Sequence, residues 1–196
     1  MAMIFTLTNS TTGVCAGNAV YCSGAATSDG GASRVASVGG TAGTETTLAT
    51  SALASSTDNA NGLYTLDIPA GTSGDSGTWT IRLNITTANM NLTVTKIYVC
   101  RVNSSCTNQE TIGSATGLSI SLGTTGVKTQ TVSGSAVTLA AGDKVVIVFV
   151  LSNGAMSDQI ARWGNDQNID SPFSVVVDRR QPPVNRSFAI MRASNY

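Results

Sequence analysis

The segment spanning residues 78–86 alternates strictly between apolar and polar side chains. Every second position carries a large apolar residue: Trp79, Ile81, Leu83 and Ile85. A period of two places these four side chains on one face of an extended strand and the polar ones on the other. The pattern therefore predicts a β-strand that turns one face toward a hydrophobic core.

Further strand candidates follow, separated by turn signals at the spacing of all-β domains. The apolar run Val145–Leu151 has the β-branched composition of a strand in the middle of a sandwich. Between Leu92 and Val99 the apolar phase shifts, which predicts a bulge or a strand buried on both faces. Good helix formers are scarce. We predict an all-β chain, an antiparallel β-sandwich and more specifically a jelly roll; an immunoglobulin-like sandwich lacks its Cys-Trp-Cys spacing here.

The first 60 residues differ from the rest in composition. A short strand is predicted at residues 3–8, and the remainder is rich in Gly, Ala, Ser and Thr. Loops of this length are uncommon inside a compact domain unless they have a function. We therefore expect residues 1–60 to form an extended N-terminal arm or long loops, and residues 61–196 to form the β-sandwich domain.

Charge and composition exclude several classes of function. Eleven acidic and eleven basic residues give a formal net charge of zero, and the chain contains no histidine. A neutral chain lacks the basic surface that captures nucleic acid. Without histidine, Ser-His-Asp and Cys-His catalysis and the most common transition-metal ligand are excluded. We expect a protein that is not an enzyme, needs no cofactor and does not bind nucleic acid.

The apolar runs and the N-terminal residues bear on location. The longest apolar run, Val145–Leu151, has the length of a strand and is too short to span a bilayer. The first eight residues lack the positive and apolar regions of a secretory signal. We expect a chain that is made in the cytoplasm without a signal peptide and that has no membrane partner.

The four cysteines fall into two close pairs, Cys15 with Cys22 and Cys100 with Cys106. Short loops closed by cysteines are typical of disulfides, so we predict a bond within each pair, with free buried thiols as the alternative. The spacings do not match a zinc site. Disulfides without a secretory signal indicate a protein that is made in a cytosol and later works outside the cell.

One tryptophan is a candidate contact for a ligand or a partner. Trp163 lies in the polar stretch Arg162–Asp166, which we predict to be a loop, with Asp166 beside it. An exposed tryptophan stacks on sugars or anchors a protein interface. The alternative is a loop tryptophan that folds back onto the core.

The same region contains oxygen ligands at alternate positions. Asp166, Asn168 and Asp170 are of the type that Ca²⁺ prefers, but the stretch lacks the glycine and the final glutamate of an EF-hand loop. A polar loop with an Asx turn explains the same residues. We therefore expect no metal and keep these three residues as the calcium candidate.

Three segments have the character of a known structural family. They are the strand Ser76–Leu83, the strand end Cys100–Arg101, and the turn and strand Leu139–Val145. They resemble the jelly-roll structural proteins of tailed bacteriophages, and in kind most nearly the capsid decoration, or cement, proteins. The resemblance covers about residues 63–196. Similar strands also occur in phage tail and receptor-binding proteins.

The resemblance implies a virion surface protein, commonly a trimer, whose partner is the major capsid protein. It implies no catalytic residues. The resemblance also implies that residues 1–60 are an arm that reaches over neighbouring capsid subunits. Extended segments of this kind bind a partner by adding a strand to its sheet. The alternatives are a carbohydrate-binding β-sandwich of a tail fibre, with Trp163 in its site, and a tail or neck structural protein.

Overall fold

The computed structural model describes residues 3–8, 15, 20–21, 25–38, 45–50, 59–153, 159–164 and 168–175. Every regular element in these ranges is a β-strand, which confirms the all-β prediction. In chain order the strands are β1 (Met3–Leu7), β2 (Val20–Tyr21), β3 (Ala25–Val38), β4 (Glu45–Thr50), β5 (Asn59–Asp67), β6 (Thr72–Ser73), β7 (Gly77–Thr87), β8 (Leu92–Val102), β9 (Asn108–Ala115), β10 (Ile120–Ser121), β11 (Gly126–Gly134), β12 (Lys144–Asn153), β13 (Gln159–Gly164), β14 (Asn168–Ser171) and β15 (Ser174–Val175).

Thirteen of these strands form one sheet that curls into a nearly closed barrel. From β7 the wall runs through β11, β9, β8, β12, β5, β3, β1 and β14 and returns to β7. Neighbours in the wall are antiparallel, except that β3 and β5 are parallel. The predicted all-β, antiparallel architecture is therefore confirmed, as one sheet that curls around its core. The strands β15 and β6 pair separately.

The alternating segment around Trp79 forms the middle of β7, as predicted. Its four large side chains point into the barrel, where each is at most 3% exposed. They belong to one cluster that also contains Phe5, Phe149 and Phe173. Burying a large apolar side chain contributes about 1.5–3 kcal/mol, so this cluster is the main source of the barrel's stability.

The apolar run predicted as a central strand is β12, which lies between β5 and β8. Its odd-numbered residues from Val145 to Leu151 belong to the interior cluster. Its even-numbered residues, Val146, Val148 and Val150, are at most 3% exposed on the opposite face. A strand buried on both faces needs apolar side chains at every position, which is why β12 shows no alternation.

The phase shift in β8 is a bulge. Opposite β8, Val150 pairs with Lys96 and Leu151 pairs with Val94, so Thr95 is the extra residue. A bulge changes the face to which the following residues point by one position. As a result Ile97 and Val99 continue the interior face, and on the outer face Cys100 and Val102 at the end of β8 are buried. Of the two predicted alternatives, the bulge is confirmed.

Parts of the first 60 residues belong to the barrel wall. The strand β1 inserts between β3 and β14, and Phe5 of β1 is completely buried. The boundary predicted near residue 60 falls inside β5. The strand β4 pairs with β13, and β13 pairs with β7. In the order of the sheet β4 is therefore the last strand. For the residues of 1–60 outside the described ranges, the extended arm stays a prediction.

Candidate functional site

The outer face of β8 and β12 carries a second hydrophobic cluster. It contains four valines and two cysteines: Val102, Val146, Val148, Val150, Cys100 and Cys15. We call the four valines the outer valine face. All four are at most 3% exposed, and Cys15 is completely buried against them. Two buried faces on one strand pair are unusual for an antiparallel sheet, because its outer face commonly contacts solvent.

A disulfide joins this face to the turn after β8. The Sγ atoms of Cys15 and Cys106 are 2.02 Å apart, their Cα atoms are 5.3 Å apart, and the two residues are 91 positions apart in the sequence. The backbone N–H of Cys15 also donates to Oγ1 of Thr65, at 2.9 Å. Cys15 is thus fixed to the barrel by one covalent bond and one hydrogen bond.

This bond corrects the predicted cysteine pairing. Cys15 was expected to bond Cys22, and Cys106 was expected to bond Cys100; the structure pairs Cys15 with Cys106 instead. Cys100 is disulfide-bonded as well, and Cys22 lies outside the described residues. A short sequence spacing between two cysteines favours a disulfide between them only while the chain is unfolded. In the folded barrel the outer face of β8 and the turn that follows it meet Cys15, whatever the sequence separation.

The turn that carries Cys106 is organised by Asn103. Its side-chain Oδ1 accepts hydrogen bonds from the backbone N–H groups of Ser105 and Thr107, at 3.0 and 2.9 Å. Its backbone carbonyl accepts from the N–H of Cys106 at 2.8 Å, and its own N–H donates to Thr107. Cys106 has a φ of 62°, in the left-handed region that costs a non-glycine residue about 1 kcal/mol. The hydrogen bonds of Asn103 offset that cost.

A charged cluster lies on the other face of β8, next to Cys100. The guanidinium of Arg101 donates to the carbonyl of Thr138 at 2.5 Å and contacts Asp143 and Glu110 at 3.3 Å. The same oxygen of Asp143 accepts from the N–H of Ala140 at 2.8 Å. The cluster therefore fixes the turn before β12 to the end of β8. A cleft of about 250 Å³ lies beside this turn, against residues 68–72.

Replacing Arg101 by Met destabilises the fold through this cluster. The side chain of Asp143 is only 7% exposed, so the variant leaves a nearly buried carboxylate without its cation. We expect the free energy of unfolding to fall by about 2 kcal/mol, measured by urea titration. The matched control is Arg82→Met, whose pair with Asp170 is about one-third exposed and contributes less than about 1 kcal/mol. Equal losses in the two variants would contradict the expectation.

The calcium candidate is only partly within the described residues. Nη1 of Arg82 donates to Oδ1 of Asn168 at 2.8 Å and to Oδ2 of Asp170 at 2.7 Å. The guanidinium thus occupies the position between these two oxygens that a cation would need. Asp166 lies outside the described ranges. Asn168 and Asp170 therefore act here as an ion-pair anchor between β7 and β14.

Trp163 lies in a strand and not in a loop, which corrects the prediction. It pairs with Thr46 of β4 and with Ile85 of β7. The polar residues around it had indicated a loop, but a strand near the end of a sheet accepts polar residues on its exposed positions. The side chain of Trp163 and the neighbouring Asp166 are outside the described part, so their contact with a ligand or partner stays a prediction.

A carboxylate links the two short strands β6 and β15. The hydroxyl of Ser73 donates to Oδ1 of Asp75 at 2.6 Å, and the hydroxyl of Ser174 donates to Oδ2 at 2.7 Å. These hydrogen bonds, that of Ser73 first, hold the pKa of Asp75 below its usual value of 3.8. Because they favour the ionised form, the carboxylate is a stabilising bridge at neutral pH.

The stability of this bridge depends on pH. A carboxyl whose pKa is lower in the folded state contributes stability above about pH 4 and loses it as the pH falls through the folded pKa. We therefore expect the free energy of unfolding of the wild type to exceed that of Asp75→Asn at about pH 6. This difference between the two proteins should be smaller at about pH 2.5. Urea titrations of both proteins at both pH values measure it. A gap of the same size at both values would refute the assignment.

The described residues contain no group of three or more His, Cys, Asp or Glu side chains that would hold a metal ion. Within the same ranges, no helix has the length and apolar character needed to cross a membrane. The contacts that sequence reasoning missed are those of Arg101 with Asp143 and of Asn103 with Cys106, because the sequence showed these residues but not their partners. The chain matches no model of a protein family and no curated protein.

Proposed function

We propose that this chain is a structural protein of a tailed-bacteriophage virion, a capsid decoration protein that binds and stabilises the lattice of the major capsid protein. The observation that carries the proposal is where the three segments of the family resemblance lie. Ser76–Leu83 leads into β7 and its core face, and Cys100–Arg101 ends β8. Leu139–Val145 contains the turn whose Asp143 is bound by Arg101.

All three segments have structural roles in one barrel. Trp79 and its neighbours fill the core, while Arg101 connects two strands through a turn. Residues used in this way suit a rigid body whose task is to hold a position in an assembly. The proposal includes a jelly-roll topology for this barrel and an N-terminal arm over neighbouring subunits. It also includes a trimeric state, because oligomers of identical chains usually have closed symmetry.

The sheet edge and the disulfide also support an assembly role. The strand β4 ends the sheet order, and in the described part of the chain its pairing partner is β13. A free sheet edge accepts a strand from a neighbouring chain. Disulfides persist in oxidising surroundings, which a virion meets after release from the cell. The side chain of Trp163 lies outside the described part of the chain, so no described feature favours the carbohydrate-binding alternative.

The test combines solution mass with sedimentation on particles. We expect light scattering to give about three times the 20.0 kDa of one chain. We also expect the protein to sediment with capsids of the phage that encodes it, and to raise the temperature at which these capsids open. Capsids of an unrelated phage are the control. A monomer that stays in the supernatant with both kinds of capsid would overturn the proposal.

A further inference from the structure

The strand β11 is paired along its whole length on one edge only. That edge pairs with β7 from Gly126 to Gly134. On the other edge, the pairing with a described strand is the single register pair between Gly134 and Gly113 of β9. Beyond Ala115, the place beside β8 is taken by β10, which among the described strands pairs with β8 alone. Beside residues 126–133, the described strands therefore leave this edge of β11 open.

The backbone groups of the odd-numbered residues of β11 point to the open edge. Alternate residues of an antiparallel strand direct their N–H and C=O groups to the same neighbour. The carbonyl of Ser133 faces Gly113 of β9, so closely that a Cβ atom on this glycine would collide with it. The same alternation places the N–H and C=O groups of Val127, Thr129 and Thr131 on the open edge.

The open edge is in contact with solvent. The side chain of Val127 is 56% exposed, and Thr129 and Thr131 are exposed as well. Nε2 of Gln130 donates to the carbonyl of Thr131 at 2.8 Å, so a flexible side chain takes the position of a neighbouring strand's N–H group. An exposed row of unpaired backbone groups is a template for an added strand.

Two polar residues lie on the interior face of β11. Lys128 pairs with Leu83 and Gln130 pairs with Ile81, and residues that pair directly share a face of the sheet. Nζ of Lys128 donates to the hydroxyl of Thr124 at 2.6 Å, and no ion pair within the described ranges includes this ammonium. An inward-pointing lysine disfavours the addition of a purely apolar strand, and it favours a strand with a carboxylate at the facing position.

The residues across the open edge are apolar. Ala115, Leu118 and Ile120 are partly buried and pack against the interior cluster. They lie at the end of β9 and in the segment that leads into β10, on the side of β8 where the sheet order places β11. An added strand beside β11 would therefore place its interior side chains next to both Lys128 and these apolar residues.

We infer that the open edge of β11 binds an extended segment of a partner protein, which joins the sheet as an additional strand. The segment has a carboxylate opposite Lys128 and an apolar residue two positions away on each side. Its backbone forms the ladder with Val127, Thr129 and Thr131, and its outward side chains are free to be polar. This site goes beyond the proposed function, because it is separate from the sheet end at β4 and fits any protein that presents such a segment.

The experiment uses a synthetic peptide and the full chain, and it needs no capsid. The probe is acetyl-Thr-Val-Thr-Glu-Thr-Val-Thr-amide with a fluorescent label, and the matched control peptide has lysine in place of glutamate. Fluorescence anisotropy measures both dissociation constants. We expect the wild type to bind the glutamate peptide about fivefold more tightly than the lysine peptide. Lys128→Glu should reverse this order, because the facing charges are exchanged.

A second pair of variants tests the backbone ladder. Thr129→Pro removes the N–H that faces the open edge and leaves the hydrogen bonds to β7 in place. We expect it to weaken binding of the glutamate peptide at least about tenfold, with an unchanged circular dichroism spectrum. Thr129→Val keeps the N–H and should bind like the wild type. If Thr129→Pro does not fold, the reversal in Lys128→Glu decides alone.

Three results would overturn the inference. The first is a wild type that binds neither peptide at about 1 mM. The second is a folded Thr129→Pro that binds the glutamate peptide as tightly as the wild type, since the peptide would then lie elsewhere. The third is self-association of the wild type that Thr129→Pro abolishes, because a second copy of the chain would then occupy the edge. None of these results depends on whether the protein sediments with capsids.

Discussion

Replacing Cys15 and Cys106 together by alanine lowers the free energy of unfolding by about 3 kcal/mol. The bond connects residues 91 positions apart, but Cys100 within this loop is disulfide-bonded as well and keeps part of the unfolded chain restricted in the variant. A natural domain has only about 5–15 kcal/mol of net stability, so the loss is a large part of the total. Guanidinium titration of the oxidised wild type and the double variant measures the difference.

Peptide mapping under non-reducing conditions checks the pairing on which this prediction depends. We expect the peptide that contains Cys15 to be linked to the one that contains Cys106. A link from Cys15 to Cys22 would contradict the structure, and it would also reduce the expected loss, because closing a short loop restricts the unfolded chain less. The stability control is Thr65→Val, which removes only the hydrogen bond to Cys15 and costs about 1–2 kcal/mol.

Gly134→Ala is the second substitution with a large expected effect. A Cβ atom at Gly134 would lie 2.6 Å from Nε1 and 2.9 Å from Cδ1 of Trp79. The indole has no room to move, because it is completely buried and its ring packs edge-on against Phe173 at 4.9 Å between centroids. Gly134 is also the point where β11 pairs with Gly113 of β9 and closes the barrel. We expect a loss of about 3 kcal/mol.

The matched control for this prediction is Gly117→Ala. Gly117 has a φ of +66° and no atom within 4 Å of an added Cβ, so the substitution costs backbone strain alone. That strain is about 1–2 kcal/mol. Urea titration followed by tryptophan emission compares the two variants, and Gly134→Ala should also shift the emission of Trp79. If both variants lose the same stability with unchanged emission, the close contact at Trp79 does not constrain the fold.

The face on which each side chain of a single strand lies could be predicted from the sequence, because the direction of a side chain depends on its own backbone. The alternation at Trp79 predicted the core face of β7, and the unbroken apolar run predicted that β12 is a central strand. The phase shift near Thr95 predicted the bulge in β8. Each of these features involves neighbours within a few residues, so no knowledge of distant strands was needed.

The pairing of residues that are distant in the sequence could not be predicted from the sequence. It depends on which distant segments the curled sheet brings together. The guanidinium of Arg101 meets a carboxylate 42 positions away, and no local pattern indicates that pair. The polar stretch around Trp163 indicated a loop, because its pairing with β4 and β7 supplies the strand character that its own residues lack.

The sequence by itself therefore determined the all-β class and the core face of its main strands. Only the tertiary structure decided the closure of the sheet, the parallel pairing of β3 with β5 and the bond between Cys15 and Cys106. The physical reason is that side-chain direction is a local property of an extended backbone. Strand order and disulfide partners instead follow from the burial of apolar surface contributed by the whole chain.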